Sequence, residues 1–193
     1  MSTGIIIPEG TREVLLHACC APCSSAIVEW MLANGIQPTI DYYNPNIFPR
    51  EEYEIRKQES KRHAESLGIR WIDGDYAHDA WRKGVCGLEG EPERGARCLE
   101  CFRLRLLRTA EKAQELGFRV FATTLASSRW KRLDQIEEAG LAAQEAVPGT
   151  RFWAQNWRKG GLQERRGQLL REYGFYNQLY CGCEFSIREG SMN

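Results

Sequence analysis

The sequence predicts an α/β fold: a single α/β domain over residues 1–193, with a mainly parallel, Rossmann-like sheet flanked by helices. Three observations favour this fold class. Short apolar runs of strand length alternate with longer segments of helical character. This alternation is typical of parallel sheets whose crossover helices cover both faces. The 193 residues are also enough to bury one core, and no low-complexity tract or linker divides them.

The elements follow in order along the chain. The first strand is predicted at residues 14–16, an apolar run. Ser24 or Ser25 is expected to cap a helix that runs to about Asn34 and ends at Gly35. Further strands are predicted at residues 39–43, 69–72, 118–122 and 152–153. Further helices, several of them ending at a glycine, are predicted at residues 50–67, around Trp81, and at 98–116, 133–144 and 162–173.

The predicted topology places a functional site at one edge of the sheet. In parallel sheets, binding sites lie beyond the carboxyl ends of the strands. The turns that contain Cys19, Asn44 and Thr123 each follow a predicted strand and would open on that edge. The glycine-rich segment 73–97 reads as a long loop, and loops of this length are often functional. We therefore expect a metal site at the carboxyl edge of the sheet.

Seven of the eight cysteines form three groups along the chain. In a reducing compartment, such thiols favour metal or redox chemistry over a disulfide scaffold. The first group also precedes a helix, and a helix N-terminus lowers the pKa of a thiol. The groups are Cys19, Cys20 and Cys23; Cys98 and Cys101; and Cys181 and Cys183.

Cys19, Cys20, Cys98 and Cys101 are the candidate metal ligands. Adjacent cysteines cannot comfortably chelate one small ion, but they can bind two corners of a cubane. A distant C-x-x-C pair then completes the four thiolates of a [4Fe-4S] cluster. Tetrahedral zinc, which also takes four thiolates, is the alternative. Cys23 is the spare member of its group, and it could replace a ligand, cap the helix or hold a second, mononuclear iron.

Cys181 and Cys183 are predicted to form a redox-active dithiol. A disulfide across Cys-Gly-Cys closes a small strained ring, and strain raises its reduction potential. Cytosolic disulfides, where they occur, are usually catalytic or redox-sensing. The alternative is two unrelated thiols. The C-terminal segment 174–193 would carry this pair back to the site.

His17, which ends the first strand beside three thiols, is a candidate proton donor or a hydrogen-bonded packing residue.

The overall charge gives no indication of a polyanionic partner, because 26 Lys and Arg balance 26 Asp and Glu. Two local patches differ from this average: cations interleaved with Trp153 and Trp157, and the run Arg-Trp-Lys-Arg at residues 129–132. Cations with aromatic residues suit phosphate contact and base stacking in RNA. The alternative is a solvated helix face whose tryptophans turn into the core. The candidate RNA contacts are Arg129, Arg158 and Lys159.

The N-terminal region matches neither a signal peptide nor a membrane span. We therefore expect a cytoplasmic protein with no membrane partner.

Short motifs are spread over residues 14–187: His17-Ala-Cys19-Cys20-Ala-Pro22-Cys23, Asn44-Pro45-Asn46-Ile47, Glu52-Tyr53 with Arg56, Glu91-Pro92-Glu93, Arg97-Cys98-x-x-Cys101-Phe102 with Arg105, Thr123-Thr124-Leu125, and Tyr176 with Tyr180-Cys181-Gly182-Cys183 and Ser186. These motifs resemble those of the epoxyqueuosine reductases of the QueH family. The sequence departs from the family pattern at Phe48 and at residues 126–130, where the family more often has a Ser-Pro-Tyr-like turn.

The resemblance implies the reductive deoxygenation of epoxyqueuosine, at the wobble position of tRNA, to queuosine. It also implies a [4Fe-4S] cluster on Cys19, Cys20, Cys98 and Cys101, and a redox-active disulfide between Cys181 and Cys183. The reaction consumes two electrons and two protons, so an external electron donor is expected.

On this hypothesis, an open iron near Cys23 would polarise the epoxide oxygen as a Lewis acid. His17 or Asp41 would protonate the leaving oxygen. Asn44 and Asn46, together with the region of Arg158, would hold the nucleotide. Two rival hypotheses are a zinc-stabilised RNA-binding module and an ATP-dependent sulfur- or adenylate-transfer enzyme. The second would carry a glycine-rich phosphate loop where this chain has cysteines.

Overall fold

A five-stranded parallel sheet forms the centre of the computed structural model, which describes residues 7–187. The strand order is β3-β2-β1-β4-β5, and every neighbouring pair is parallel. Successive strands are added on one side of β1 up to β3 and on its other side from β4 onward, and this reversal of strand order opens a crevice at the carboxyl ends of β1 and β4. The predicted Rossmann-like sheet is confirmed. The strands are β1 (Glu13–His17), β2 (Gln37–Tyr42), β3 (Trp71–Asp73), β4 (Val120–Thr123) and β5 (Arg151–Phe152).

Six α-helices connect and flank these strands within residues 7–187. None of them combines the length and apolar character needed to cross a bilayer. Residues 124–127, after β4, form a short 3-10 helix within the predicted turn. The helices are α1 (Ala21–Ala33), α2 (Arg50–Ser66), α3 (His78–Gly84), α4 (Ala96–Glu115), α5 (Leu133–Ala146) and α6 (Leu162–Glu172).

Helix α1 begins earlier than predicted, and the expected serine cap is wrong. Cys20 is the N-cap residue, and Pro22 lies in the first turn, where a missing N–H costs nothing. Ser24 therefore lies inside the helix, where its hydroxyl donates to the carbonyl oxygen of Cys20 at 3.1 Å. The helix N-terminus consequently sits at the cysteines themselves.

The strand register brings three polar residues to one edge of the sheet. β1 is covered on both faces, so Val14, Leu15 and Leu16 are fully buried. His17 follows them and pairs in register with Asp41 of β2 and Thr123 of β4. The cysteine-containing turn starts directly after His17, so the sheet aims it into the crevice.

Trp153 and Trp157 belong to the core, so the interpretation of these two residues as base-stacking groups is wrong. They are only 3% and 2% exposed. Both pack against Trp30, with ring centroids 6.4 and 5.6 Å away, and the indole N–H of Trp157 donates to the carbonyl oxygen of Thr123 at 3.0 Å. A buried ring offers no free face to a base, and the alternative of inward-facing tryptophans is confirmed.

Candidate active site and metal centre

The turn between β1 and α1 gathers three thiols. The Sγ atoms of Cys19, Cys20 and Cys23 all lie within 4.8 Å of one another. Because this turn runs into the first turn of α1, the free N–H groups and the positive end of the helix dipole face the group. Three thiolate donors at this spacing could bind a metal ion.

The three thiols do not ionise independently. Hydrogen bonds from Cys20 and Cys23 lower the pKa of the Cys19 thiol well below its usual value, and they outweigh the opposing effect of burial. The same hydrogen bonding raises the pKa of Cys20, and it raises that of Cys23 to about 11. The amide of Gln178 also donates to Cys20 Sγ at 3.0 Å. Cys19 is therefore the first of the three to become a thiolate.

A cavity of about 420 Å³ opens beside this triad, and cysteines of all three groups line it. Cys98 comes from the first turn of α4, whereas Cys181 and Cys183 come from the segment after α6. Cys101 lies one turn beyond Cys98 and belongs, with Cys183, to one buried cluster. Sulfur atoms far apart in the sequence therefore converge at the carboxyl edge of the sheet. All of these cysteines are free thiols.

Arg56 of α2 fixes the backbone of the Cys181-Gly182-Cys183 turn. Its guanidinium, almost fully buried, donates to the carbonyl oxygens of Cys181 and Tyr180, both at 3.3 Å. It is itself held by Glu52, with Nε–Oε1 at 2.7 Å. Acid and base at i and i+4 on a charged helix indicate an ion pair. Their spacing in the sequence does not reveal that the pair is buried or that it holds this turn.

Burial raises the pKa of the Cys183 thiol to about 11, and the neighbouring Cys181 adds to this shift. Cys181, by contrast, is exposed. The two thiols of the turn therefore differ in access: one faces solvent at the cavity, and the other is shielded.

The cavity wall is strongly cationic. Seven of its lining side chains are basic and one, Glu93, is acidic. Burial would lower the pKa of the Lys131 ammonium, but the nearby Cys181, Cys19 and Cys23 outweigh burial and raise it. Such a wall favours an anionic ligand. The basic residues are Arg56, Arg94, Arg105, Arg129, Lys131, Arg132 and Arg166.

Three of the predicted nucleotide contacts line the cavity: Asn44, Asn46 and Arg129. Asn44 is fully buried, donates to the carbonyl oxygen of Ala18 at 2.9 Å, and accepts a hydrogen bond from Arg105. Arg158 is not part of the lining. Its guanidinium instead binds the carbonyl oxygens of the loop that forms one wall. Lys159 is exposed and lies outside the lining.

Neither predicted proton donor lines the cavity. His17 is fully buried between Thr123 Oγ1 at 2.8 Å and the carbonyl oxygen of Tyr43 at 3.0 Å. Burial, with a smaller contribution from the Arg105 charge, lowers the pKa of His17 to about 3, so its ring is neutral. Asp41 accepts a hydrogen bond from Thr109 at 3.1 Å, and burial raises the pKa of its carboxyl to about 6.

Comparison with known proteins agrees with the motif resemblance. Residues 14–189 match the family described as Epoxyqueuosine reductase QueH. A protein of that name from Acinetobacter baylyi is 45% identical over 95% of this chain and 84% of its own length. The proteins of that name from Histophilus somni and Thermotoga maritima are 46% and 36% identical, and the chain covers 75% and 91% of their lengths. The chain therefore belongs to the QueH family of epoxyqueuosine reductases, and the family's activity makes it an oxidoreductase.

Proposed function

We propose that this protein reduces epoxyqueuosine in tRNA to queuosine. In this reaction an epoxide takes up two electrons and two protons, both C–O bonds break, and an alkene and water form. One observation carries the proposal beyond family membership: cysteines of three distant segments meet at one cationic cavity. The volume of about 420 Å³ falls in the range of small-molecule sites and suits one nucleoside rather than an RNA helix.

The donor set supports an iron–sulfur group at this cavity, which Cys19 and Cys98 line, while Cys20 and Cys101 are buried outside the lining. We assign Cys19, Cys20, Cys98 and Cys101 as ligands of a [4Fe-4S] cluster and Cys23 as a ligand of a second, mononuclear iron. Soft thiolates are the donors that iron–sulfur clusters take, and the close group at the β1–α1 turn consists of thiols alone. When bound, such a group supplies single electrons and a Lewis acid. Zinc on four thiolates is the competing assignment.

Cys181 and Cys183 would act as the chain's own two-electron store. Forming a disulfide between them releases two electrons and two protons, which is what the reduction of one epoxide consumes. An external thiol or other two-electron donor must then reduce the disulfide again. The exposed Cys181 is the sulfur that such a donor can reach, whereas Cys183 is shielded.

The remaining residues would bind the substrate or hold the site in shape. Asn46 offers its amide group to the nucleoside, whereas Asn44 shapes the cavity wall through its hydrogen bonds to Ala18 and Arg105. Arg129 with the other basic residues of the wall neutralises phosphate. Arg158 would act through the loop carbonyls that it binds, and Lys159 would contact phosphate outside the cavity. His17 would position the cysteine turn through its two hydrogen bonds. The expected setting is the cytoplasm, where thiols stay reduced.

A matched pair of serine variants tests this assignment. Protein purified without oxygen is expected to contain iron and sulfide with visible absorbance, and Cys98→Ser should lose most of both. Cys86→Ser is the control, because Cys86 is exposed and lies outside the cavity lining. Colourless protein with stoichiometric zinc would contradict the cluster.

The reaction itself is tested in a strain that lacks this gene. Mass analysis of its tRNA is expected to show epoxyqueuosine, and restoring the gene should restore queuosine. Cys181→Ser should fail to restore it, whereas a zinc-stabilised RNA-binding module would not need this thiol. Full queuosine with Cys181→Ser would refute the dithiol role.

A further inference from the structure

The turn of residues 128–131 holds an exposed tryptophan at the rim of the cavity. Trp130 is 70% exposed, the largest exposed fraction among the large apolar side chains of residues 7–187. It also lines the cavity. The other tryptophans are buried or partly buried. An exposed indole at a cavity rim presents a free aromatic face beside any ligand that enters the cavity.

Two arginines hold the backbone of this turn, so the indole is displayed by a fixed frame. Arg94 donates from Nε to the carbonyl oxygen of Trp130 at 2.9 Å and from Nη2 to that of Arg129 at 3.3 Å. Arg158 donates to the carbonyl oxygens of Lys131, at 2.6 Å, and of Ser128. All four carbonyls of the turn therefore accept hydrogen bonds from a guanidinium. Binding to a preorganised turn loses less conformational entropy than binding to a loose one.

The charges beside the indole match a nucleic-acid strand. Arg129, Lys131 and Arg132 surround Trp130 in the sequence, and all three line the cavity. Arg132 is paired with Asp134 at the surface, where an ion pair is weak and easily exchanged for a phosphate. An aromatic face between cations is the pattern that single-stranded nucleic acids use for stacking and phosphate contact.

The proposed reaction supplies the reason for a stacking group at this place. The cavity suits one nucleoside, so a base that enters it must leave its stack. The neighbouring base in the RNA loop then loses one stacking partner. An indole at the rim can replace that partner, as aromatic side chains do when proteins bind unpaired RNA bases.

We propose that Trp130 is the stacking platform for the unpaired base next to the modified nucleotide, with the exposed Arg129 and Arg132 at the flanking phosphates. This inference rests on the proposed function for the identity of the RNA. It adds a base-binding subsite outside the cavity that holds the reacting nucleoside.

The test is a double-mutant cycle between protein and RNA. The probe is an anticodon stem-loop that carries epoxyqueuosine, either intact or abasic at the two nucleotides beside it. Stacking on an aromatic side chain contributes about 1–3 kcal/mol per base, so Trp130→Ala should weaken binding of the intact loop by about 5- to 150-fold. With the abasic loop, Trp130→Ala should change the Kd by less than about 2-fold, because the stacked base is already missing.

Two further variants make the result specific. Trp130→Phe keeps an aromatic face and should retain most of the affinity. Leu141→Ala removes an exposed apolar side chain of α5 that lies outside the cavity lining, and it should bind like the unmodified protein. Because Trp130 is mostly exposed, we expect the melting temperature of Trp130→Ala to stay within a few degrees of the original.

The outcomes separate this inference from the proposed reaction. Unchanged binding of the intact loop by Trp130→Ala overturns the platform even if epoxyqueuosine is reduced normally. An equal loss on intact and abasic loops also overturns it, because the indole would then contact something other than a base. If Trp130→Ala weakens binding of the intact loop alone, while the original protein fails to reduce epoxyqueuosine, the stacking role of Trp130 is supported and the proposed reaction is refuted.

Discussion

Replacing Gly182 by alanine should disturb the turn that carries Cys181 and Cys183, the proposed dithiol, more than the size of a methyl group suggests. Gly182 has a backbone φ angle of +124°, a conformation that residues with a side chain rarely adopt. A Cβ atom here would lie 3.1 Å from both Arg56 Nη1 and Ile47 Cγ1, which is closer than an ordinary van der Waals contact. The Gly182 carbonyl oxygen also accepts a hydrogen bond from the N–H of Phe48 at 2.8 Å. The residue therefore cannot relax without moving the turn.

The structure bounds the size of this effect. Backbone strain in such a region costs about 1–3 kcal/mol. For a chain of this length, 1 kcal/mol shifts the melting temperature by about 2–4 °C. If the turn keeps its geometry, the melting temperature should fall by about 2–12 °C. If the turn relaxes, part of that loss disappears, but Cys181 and Cys183 leave their positions and turnover falls.

The assay combines the melting temperature, the midpoint potential of the Cys181–Cys183 pair in thiol–disulfide buffers, and turnover. Gly174→Ala is the matched control, because Gly174 also has positive φ, +60°, but has no atom within 4 Å of an added Cβ. It should carry some strain and leave the dithiol potential unchanged. If Gly182→Ala matched Gly174→Ala in all three measurements, the argument from the fixed turn would be refuted.

Three further predictions test other parts of the molecule. For Asp41, burial raises the carboxyl pKa from 3.8 to about 6. The unfolded chain ionises first, so the native protein should lose about 2 kcal/mol of stability as pH rises from 4 to 6, and about 3 kcal/mol once both states are ionised. Asp41→Asn should remove this pH-dependent loss of stability, measured by urea unfolding at each pH. Turnover should stay unchanged, because Asp41 lies outside the cavity lining. Stability that falls with pH in parallel with that of the original protein, or lost turnover, would contradict this prediction. Gly140→Ala should lower the free energy of unfolding by about 1–3 kcal/mol, because its Cβ would meet the Phe152 ring at 2.3 Å, and it should leave the binding of the proposed iron unchanged. A normal melting temperature would argue against this close packing. Arg56→Lys keeps the charge but loses the planar guanidinium that binds two carbonyl oxygens and Glu52. The free energy of unfolding should therefore fall by about 1.5–3 kcal/mol, and turnover should fall with it. Wild-type turnover would show that other contacts hold the turn of Cys181 and Cys183.

Local patterns explain what the sequence could predict. The apolar run before His17 and the glycines that end helices are decided by neighbours in the chain, so most elements lie within a few residues of their predicted places. The cysteine groups were informative because thiols clustered at a strand–helix turn and at a helix start are themselves a chemical signal. The carboxyl-edge rule then predicted where they would meet.

Long-range contacts explain what the sequence could not predict. Composition alone does not show which way a side chain faces, so Trp153 and Trp157 were grouped with cations although they fill the core. Arg158 was assigned to RNA because its charge is visible in the sequence, whereas its partners are the carbonyls of another loop. Gln178 gave no signal at all, because its contact with Cys20 joins positions far apart in the chain.

The convergence of early and late cysteines has a consequence for biosynthesis. Cys19, Cys20 and Cys23 leave the ribosome long before Cys181 and Cys183 exist, yet the two groups border the same cavity. During translation the first thiols therefore stand open to solvent and oxidants on the side that residues 175–183 later cover. A metal group loaded at that time would lack this cover, so insertion should follow release of the finished chain.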